Sequence, residues 1–204
     1  MRRSLGLGGD EVVVGAIGTV DWRKGADLFI QVAARVRHAL PDRPVRFVWI
    51  GGAPEEAMYP YRFDVTTLGL DGQLTFVGEV ADVPAWIGAL DLFCLTSRED
   101  PFPLVCLEAG SLGVPVISFA NGGMAELAVA DGADEPLLTM VDYLDVEAMA
   151  AAIVQRVRDD DLRTREGTRL RRWLSTHALS STGAVDIAAA IEALLLPTTG
   201  SAPT

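Results

Sequence analysis

The sequence predicts an α/β domain in which a parallel sheet of about six strands is covered by helices on both faces, the doubly wound arrangement. Three observations lead to this fold class. Short apolar runs rich in β-branched residues alternate along the chain with segments of helical periodicity. The apolar runs show no regular polar–apolar alternation, which is typical of strands buried on both faces. Half of the 204 residues are hydrophobic, so the chain can bury a sizeable core.

In the first half of the chain, three strands alternate with helical segments. Residues 12–18 (VVVGAIG) predict the first strand, and 26–40 carry apolar residues at helical spacing. A second strand is predicted at 45–51. Residues 51–70 have no clear period, so we expect an irregular loop with a helix near its end. Residues 73–78 (QLTFVG) predict the third strand.

The second half continues the alternation and ends in helices expected to pack at one side of the sheet. In order, we predict a short helix at 82–90, a strand at 91–97, a helix from about Pro103 to Leu112, a strand at 115–119, a helix from Met124, a short strand at 137–140, and helices near 145–158, 160–177 and 182–196. Residues 1–196 are expected to form one domain and 197–204 a flexible tail.

Composition narrows the possible partners and location. The net charge of −11 argues against a nucleic acid, which needs a basic face. Residues 156–172 hold seven arginines against four acids, which fits solvated helix faces and, more weakly, a membrane-surface patch. No apolar run reaches the ~18 residues that span a bilayer, and the N-terminus lacks the apolar region of a secretory signal. Cys94 and Cys106 stand in apolar runs without a CxxC, as expected for reduced thiols in a cytoplasmic protein.

Loops that follow the predicted strands should meet at one rim, because ligands on such sheets bind at the carboxyl ends of the strands. Asp100 and Glu108 belong to the loop and helix after the fourth strand. Pro103 fits the first helical position, so the amides of Leu104 and Val105 are free to bind a phosphate or a sugar hydroxyl. The two carboxylates could accept hydrogen bonds from sugar hydroxyls in the same crevice. Spacing alone leaves open a turn acid and a solvated helix acid.

The loop after the first strand adds two cations, Arg23 and Lys24, which could neutralise a diphosphate. Gly18 permits a tight turn and a close ligand approach there. Taken alone, an exposed basic turn is the commoner explanation of these cations. The glycine pair at 122–123 is a possible phosphate cradle, although turns often use paired glycines. No GxGxxG follows the first strand, so the dinucleotide-binding fingerprint is missing.

Other polar residues have simpler explanations. His38 and His177 fall in predicted helices outside the rim and are expected to be structural. Asp91 fits a polar residue at the start of a strand, and Glu126 fits the first turn of a helix. No His, Cys or carboxylate cluster has metal-ligand spacing, so we expect neither a metal nor a cofactor.

The order of the motifs resembles the C-terminal, nucleotide-sugar-binding half of a family 4 glycosyltransferase of the GT-B type, a Rossmann-like domain. The resemblance covers roughly residues 12–160 and is carried by the segments 24–33, 76–97, 100–118, 122–127 and 145–153. Its most specific element is the acid–seven residues–acid pattern followed by Ala and then by GVPVI.

The resemblance implies a role for each matching residue. Lys24 would bind the donor diphosphate. The family usually has an Arg after the glycine that Gly18 matches, but Thr19 stands there, and Arg23 is the candidate replacement. Asp100 matches the acid that touches the donor sugar, normally a Glu, and Glu99 could serve instead.

The resemblance extends to the nucleoside and to the start of the helix. Glu108 matches the acid that binds the ribose, and with Lys24 and Asp100 it forms the expected catalytic set. The nucleobase would be held largely through backbone groups by Gly78, Glu79 and Val80, together with Val83. The donor sugar and diphosphate would meet the backbone of Phe102, Pro103 and Leu104.

Members of the family retain anomeric configuration without an obvious protein nucleophile, and the donor phosphate is thought to take the acceptor proton. The implied function is transfer of a hexosyl group from a nucleoside-diphosphate sugar, with the acceptor on a missing N-terminal domain or a partner chain. We therefore expect donor binding without efficient transfer. One alternative is a non-catalytic nucleotide or nucleotide-sugar sensor of the same fold. An unrelated response-regulator-like or dehydrogenase-like domain would need an acid pair or GxGxxG at the first strand.

Overall fold

The computed structural model describes residues 1–9, 11–130, 132–133 and 135–177. Its sheet has six parallel strands in the order β3-β2-β1-β4-β5-β6. The strands are β1 (Val12–Ile17), β2 (Val45–Ile50), β3 (Leu74–Phe76), β4 (Leu92–Leu95), β5 (Val116–Phe119) and β6 (Thr139–Val141). Each strand was predicted from the sequence, although β6 begins two residues later than expected.

Helices cover both faces of this sheet. They are α1 (Ala26–Ala39), α2 (Glu55–Thr67), α3 (Val83–Ile87), α4 (Leu104–Ser111), α5 (Gly123–Ala128), α6 (Val146–Arg158) and α7 (Asp160–His177). Alternate residues of β1 divide the core. Val12 and Val14 pack in the cluster that contains α1 and α6, whereas Val13 packs in the cluster that contains α4 and α7. The doubly wound prediction is confirmed.

The helix expected near the end of residues 51–70 is present but begins earlier than expected, because α2 starts at Glu55 and includes Pro60. Two features of the sequence hide this helix. Pro60 breaks the expected helical pattern, and only Met58 and Val65 of α2 are buried, so the apolar period is too sparse to recognise.

Two helix starts differ by one residue from the prediction. Pro103 has an extended ψ of 100° and is the N-cap of α4, so the helix begins at Leu104. Helix α5 begins at Gly123 and not at Met124. In both helices the backbone just before the start is fixed by packing at the rim, which sequence periodicity does not report.

The two described C-terminal helices are divided between the faces of the sheet, although they were expected at one side. Helix α6 packs in the cluster of α1, and Leu170 and Leu174 of α7 pack in the cluster of α4. The predicted helix at 182–196 and the tail at 197–204 lie outside the described residues.

Candidate nucleotide-sugar site

The crevice between β1 and β4 is the point where the strand order reverses, because β1 pairs with β2 on one side and with β4 on the other. The loop at 18–25 follows β1, and the loop at 96–103 follows β4. The carboxyl ends of both strands open onto this crevice, which is where doubly wound sheets bind ligands. The two loops from which the site was predicted therefore face each other.

Gly25 allows the two loops to touch. It has the left-handed φ of 72°, and a Cβ at this position would lie closer than 3.0 Å to the carbonyl oxygen of Thr96. The Thr96 hydroxyl donates to the Gly25 carbonyl at 3.0 Å, and the Arg98 amide donates to the Arg23 carbonyl at 2.8 Å. The basic segment is thus tied to the loop after β4 and is not a free exposed turn.

Lys24 and Asp100, which belong to separate motifs, form an ion pair across the crevice. The Lys24 Nζ donates to Oδ2 of Asp100 at 2.5 Å, and the two side chains are only 19% and 11% exposed. Asp100 is therefore more than a turn acid. The pair holds an ammonium and a carboxylate at one point, and these groups recognise phosphate oxygens and sugar hydroxyls respectively.

Asp21, which the sequence analysis did not single out, organises the loop before Lys24. Its carboxylate accepts the Lys24 amide at 2.7 Å and the Thr19 hydroxyl at 2.8 Å. Burial alone would raise the pKa of Asp21, but these hydrogen bonds and the charges of Arg23 and Lys24 lower it below its ordinary value. The position usually filled by Arg is thus held by Thr19, bonded to a carboxylate.

Arg98 was also missed, and it braces the rim. Its guanidinium donates to both carboxylate oxygens of Asp27, each at 2.7 Å, and to the Trp22 carbonyl at 2.7 Å. It also lies over the Trp22 ring, 4.9 Å from the centroid. The hydrogen bond to Asp27 and its charge raise the pKa of Arg98. Asp27 lies in the first turn of α1. An acid at this position is the one feature of the sequence that could have indicated a charged partner for Arg98.

Arg23 and Glu99 lie at the solvent edge of the same loops. The Arg23 guanidinium donates to the Glu99 carbonyl at 3.3 Å, and both side chains are exposed. Arg23 therefore remains accessible as a second cation. The structure brings Asp100, and not Glu99, against Lys24.

The start of α4 presents Phe102 and Leu104 to solvent, whereas Pro103 is buried. The glycine pair packs tightly beneath this segment. The Gly123 amide donates to the Pro101 carbonyl at 2.8 Å, and Gly122 has a left-handed φ of 54°. The pair therefore serves backbone packing, and the Gly123 amide is not free to form a phosphate cradle.

Glu108 lies in the second turn of α4 with an exposed side chain. Glu126 is exposed in the first turn of α5, as a helix-terminus acid would be. Exposure makes Glu108 accessible to a ligand, but no contact joins its carboxylate to Lys24 or Asp100. Its assignment to the ribose stays a prediction.

The segment predicted to hold the nucleobase lies beside Gly18. Gly78 is bridged to Gly51, whose amide donates to the Gly78 carbonyl at 2.8 Å, and the Trp49 indole donates to the Gly18 carbonyl at 2.9 Å. Val80 and Val83 are partly buried and Glu79 is exposed. A cavity of about 570 Å³ opens next to Gly78, between α2 and β3, and does not include Lys24 or Asp100.

Sequence comparison identifies the family. The family described as "Glycosyl transferases group 1" matches residues 11–159. The chain belongs to this family. It is 32% identical over 163 residues to the lipopolysaccharide core biosynthesis mannosyltransferase LpsB of Rhizobium meliloti (strain 1021), covering 77% of this chain and 46% of LpsB. It is 30% identical over 187 residues to the D-inositol 3-phosphate glycosyltransferase of Corynebacterium glutamicum (strain R), covering 90% of this chain and 44% of that enzyme.

Solved structures give the same fold for this group 1 domain. The complex of Anabaena Alr3699/HepE with UDP-glucose matches with a TM-score of 0.79 and 25% identity, over 94% of this chain and 51% of HepE. The C-terminal domain of a group 1 family protein, LpcC of Francisella tularensis, matches with a TM-score of 0.71 and 26% identity, over 82% of this chain and 86% of that domain. The chain spans about half the length of the curated relatives it matches.

Several candidate residues of the group 1 domain have no place in the rim. Asp91 lies at the opposite edge of the sheet, where its carboxylate accepts the Val13 amide at 2.7 Å. His38 is exposed in the last turn of α1. Burial raises the pKa values of the Cys94 and Cys106 thiols, which are both free. Within the described ranges, no three potential metal-ligating side chains cluster.

Part of the arginine-rich segment at 156–172 is involved in structural contacts. Three of its seven arginines pair with acids: Arg156 with Glu166, Arg163 with Asp160 and Arg169 with Glu135. The membrane-surface patch stays a prediction. In the part of the chain that the structure describes, no helix combines the length and apolar character needed to cross a bilayer.

Proposed function

We propose that this chain is the C-terminal, donor-binding half of a retaining, family 4 glycosyltransferase that transfers a hexosyl group from a nucleoside-diphosphate sugar. The observation that carries the proposal is the Lys24–Asp100 pair at the crevice between β1 and β4. An ammonium and a carboxylate stand there together, on two loops that touch at Gly25, beside the start of α4. Together these groups suit a nucleotide sugar, because its diphosphate can bind the ammonium and its sugar hydroxyls can donate hydrogen bonds to the carboxylate.

The diphosphate is assigned to Lys24, with Arg23 as the accessible second cation. The free amides at the start of α4 supply further donors, and the helix dipole favours an anion at this end. Both loops are braced by Arg98, so the donors are held in place before the ligand arrives. Such preorganisation reduces the ordering that binding would otherwise require.

The sugar and the nucleoside are assigned to either side of the diphosphate. Asp100 accepts hydrogen bonds from hexose hydroxyls, and Glu99 can share this task from its exposed position. Glu108, exposed on α4, accepts those of the ribose. The segment at 78–83 holds the base largely through its backbone, and the neighbouring cavity gives it room.

In this proposal the protein works by positioning the donor and stabilising the charge of the leaving nucleoside diphosphate. A donor phosphate oxygen takes the acceptor proton on the face where the new bond forms, which retains configuration and requires neither a protein nucleophile nor a metal. Lys24 neutralises the charge that develops on the departing phosphate.

The acceptor is assigned to a second domain, because the relatives are about twice as long as the region that matches this chain. Donor binding uses only residues of the described rim, so it belongs to this domain alone. Efficient transfer requires the acceptor domain as well. A cytoplasmic location stays a prediction.

A non-catalytic nucleotide or nucleotide-sugar sensor is the second candidate. Thr19 and Asp100 favour it, since they stand where the family resemblance implies an Arg and a Glu. Joining the domain to an acceptor domain from a relative and assaying sugar transfer separates the two functions. Tight donor binding with no turnover for any donor would favour the sensor.

A thermal-shift screen with UDP-, GDP- and ADP-linked sugars tests donor binding directly. A matching donor at ~100-fold excess over its dissociation constant should stabilise the domain by about 2–3 kcal/mol. Glu108→Ala should weaken this response more than the control Glu126→Ala, which removes an exposed acid from a neighbouring helix. Equal effects of the two substitutions would contradict the ribose assignment, and no response to any nucleotide sugar would contradict the proposed function.

A further inference from the structure

Lys24, which we assign to the diphosphate, already has an anionic partner on the other side of the crevice. The Asp100 carboxylate lies 2.5 Å from its Nζ, and both side chains are largely shielded from water. A phosphate that binds Lys24 must therefore share the ammonium with a carboxylate or displace it. The backbone next to Asp100 is held in place, because the Gly123 amide donates to the Pro101 carbonyl.

The rest of the rim adds little positive charge to offset Asp100. The Arg98 guanidinium is held by both carboxylate oxygens of Asp27. The Asp21 carboxylate accepts a hydrogen bond from the Lys24 amide at 2.7 Å, so a second carboxylate is fixed in the loop that carries Lys24. Among the described rim residues, only Arg23 offers an exposed cation, and it lies at the solvent edge. Since Glu99 is also exposed at that edge, the crevice is not strongly cationic.

We propose that Asp100 makes this site discriminate against the free nucleoside diphosphate and in favour of the nucleoside-diphosphate sugar. The inference rests on the proposed function. The two ligands differ at the phosphate that would lie nearest the Lys24–Asp100 pair. In the sugar ester, the sugar blocks one phosphate oxygen and supplies hydroxyl donors to Asp100. In the free nucleotide, that oxygen ionises with a second pKa of about 6 and offers Asp100 no donor.

As a consequence, the affinity of the site for the nucleotide falls once the sugar has been transferred. When the hexosyl group leaves, Asp100 loses its hydrogen-bond donors and faces one more negative charge. Like charges at short range in a partly desolvated crevice repel strongly. The free nucleoside diphosphate is therefore released. A new donor molecule binds, because its sugar hydroxyls donate hydrogen bonds to the Asp100 carboxylate.

Isothermal titration calorimetry at pH 8 tests this with UDP and UDP-glucose, and with GDP and GDP-mannose as a second pair. The wild type should bind the sugar ester at least about tenfold more tightly than the free nucleotide, and Asp100→Asn should reduce that ratio by about tenfold. The reduction should come mainly from tighter binding of the free nucleotide. Asp100→Glu keeps the charge and should keep most of the ratio. Glu56→Gln, on the exposed face of α2, removes the same charge elsewhere and should leave the ratio unchanged.

A second measurement does not depend on how the variants fold. As pH falls from 8 to 5.5, the terminal phosphate of UDP gains a proton, so the wild-type preference for UDP-glucose over UDP should narrow. A protein group whose titration changes the affinity for both ligands equally leaves the ratio of the two affinities unchanged.

The outcomes distinguish the inference from the function on which it rests. If the sugar ester binds but the ratio is the same in the wild type and Asp100→Asn, the inference is wrong and the proposed function stands. A parallel loss of affinity for both ligands in Asp100→Asn would also overturn it, since Asp100 would then only position Lys24. If no nucleotide or nucleotide sugar binds the wild type, both the function and the inference fail.

Discussion

The parallel strands begin at one edge of the sheet, the amino edge, and end at the other, the carboxyl edge. Each edge carries an ion pair, and the two pairs differ in their other contacts. At the amino edge, Asp91 accepts the Val13 amide, its own amide donates to the Val13 carbonyl at 2.9 Å, and Arg2 caps its carboxylate. At the carboxyl edge, Lys24 and Asp100 bond to each other across two loops. The first pair is bound into the strands, so it contributes to stability. The second bridges loops, so its atoms can exchange partners with a ligand.

The contrast shows that an ion pair is better interpreted from its other contacts than from its charges or burial. Arg2 also donates to the carbonyls of Glu11 and Ala89, so its donors are satisfied by main chain. Among the described residues, the Lys24 ammonium has one hydrogen-bond partner, Asp100, which leaves donor capacity in it. Four substitutions and one control test this difference between the edges.

The largest effect is expected from Gly25→Ala, which should separate the two loops of the carboxyl edge. The new Cβ would meet the Thr96 carbonyl at a left-handed φ, so the free energy of unfolding should fall by about 3 kcal/mol or more. Gly72→Ala is the matched control, because Gly72 has nearly the same φ of 73° with nothing within 4 Å of its Cβ position. It should cost only about 1–2 kcal/mol. Urea unfolding measures both, and similar losses would show that contact with Thr96 is unimportant.

An intermediate effect is expected from Asp91→Ala at the amino edge. It removes the acceptor of the Val13 amide and the partner of Arg2, so stability should fall by about 1–2 kcal/mol. The nucleotide-sugar response should remain that of the wild type. Lys24→Met should abolish that response. Thermal shift with and without UDP-glucose measures both, and loss of the response in Asp91→Ala would contradict the division between the edges.

The smallest effect is expected from Asp21→Asn. Because hydrogen bonds lower the folded-state pKa of Asp21, its charged form stabilises the fold above the ordinary Asp pKa of about 3.9. That contribution is lost as pH falls from there through the lower folded-state pKa. The variant should be less stable by about 0.5–1 kcal/mol at pH 7, after solvent screening, and the difference should close in acid. Urea unfolding between pH 7 and pH 3 measures it, and a constant difference would exclude the charge as its cause.

The sequence predicted the elements of the fold more reliably than their contacts. The strands were predicted from short runs rich in apolar and β-branched residues, and all six were found. Helix α2 was predicted only as a helix near the end of residues 51–70, because Pro60 and a sparse buried face conceal its full period. Cap positions such as Pro103 were displaced by one residue because they depend on backbone packing at the rim.

The sequence predicted only part of the candidate site, because it indicates which residues follow a strand but not which residues they contact. Lys24 and Asp100 were found because each follows a strand and therefore reaches the shared rim. The braces Asp21 and Arg98 were missed, since their partners are set by loop geometry. The glycine pair at 122–123 looked like a phosphate cradle, but it is filled by the Pro101 carbonyl.

By itself, the sequence determined the alternation of elements, the parallel sheet and the edge at which its polar loops collect. These follow from periodicity along the chain and from the rule that parallel strands end at one edge. Only the tertiary structure decided that Lys24 pairs with Asp100 and Arg98 with Asp27. Such partners are more than 70 residues apart, and the crossing of the chain in space, which no local pattern encodes, brings them together.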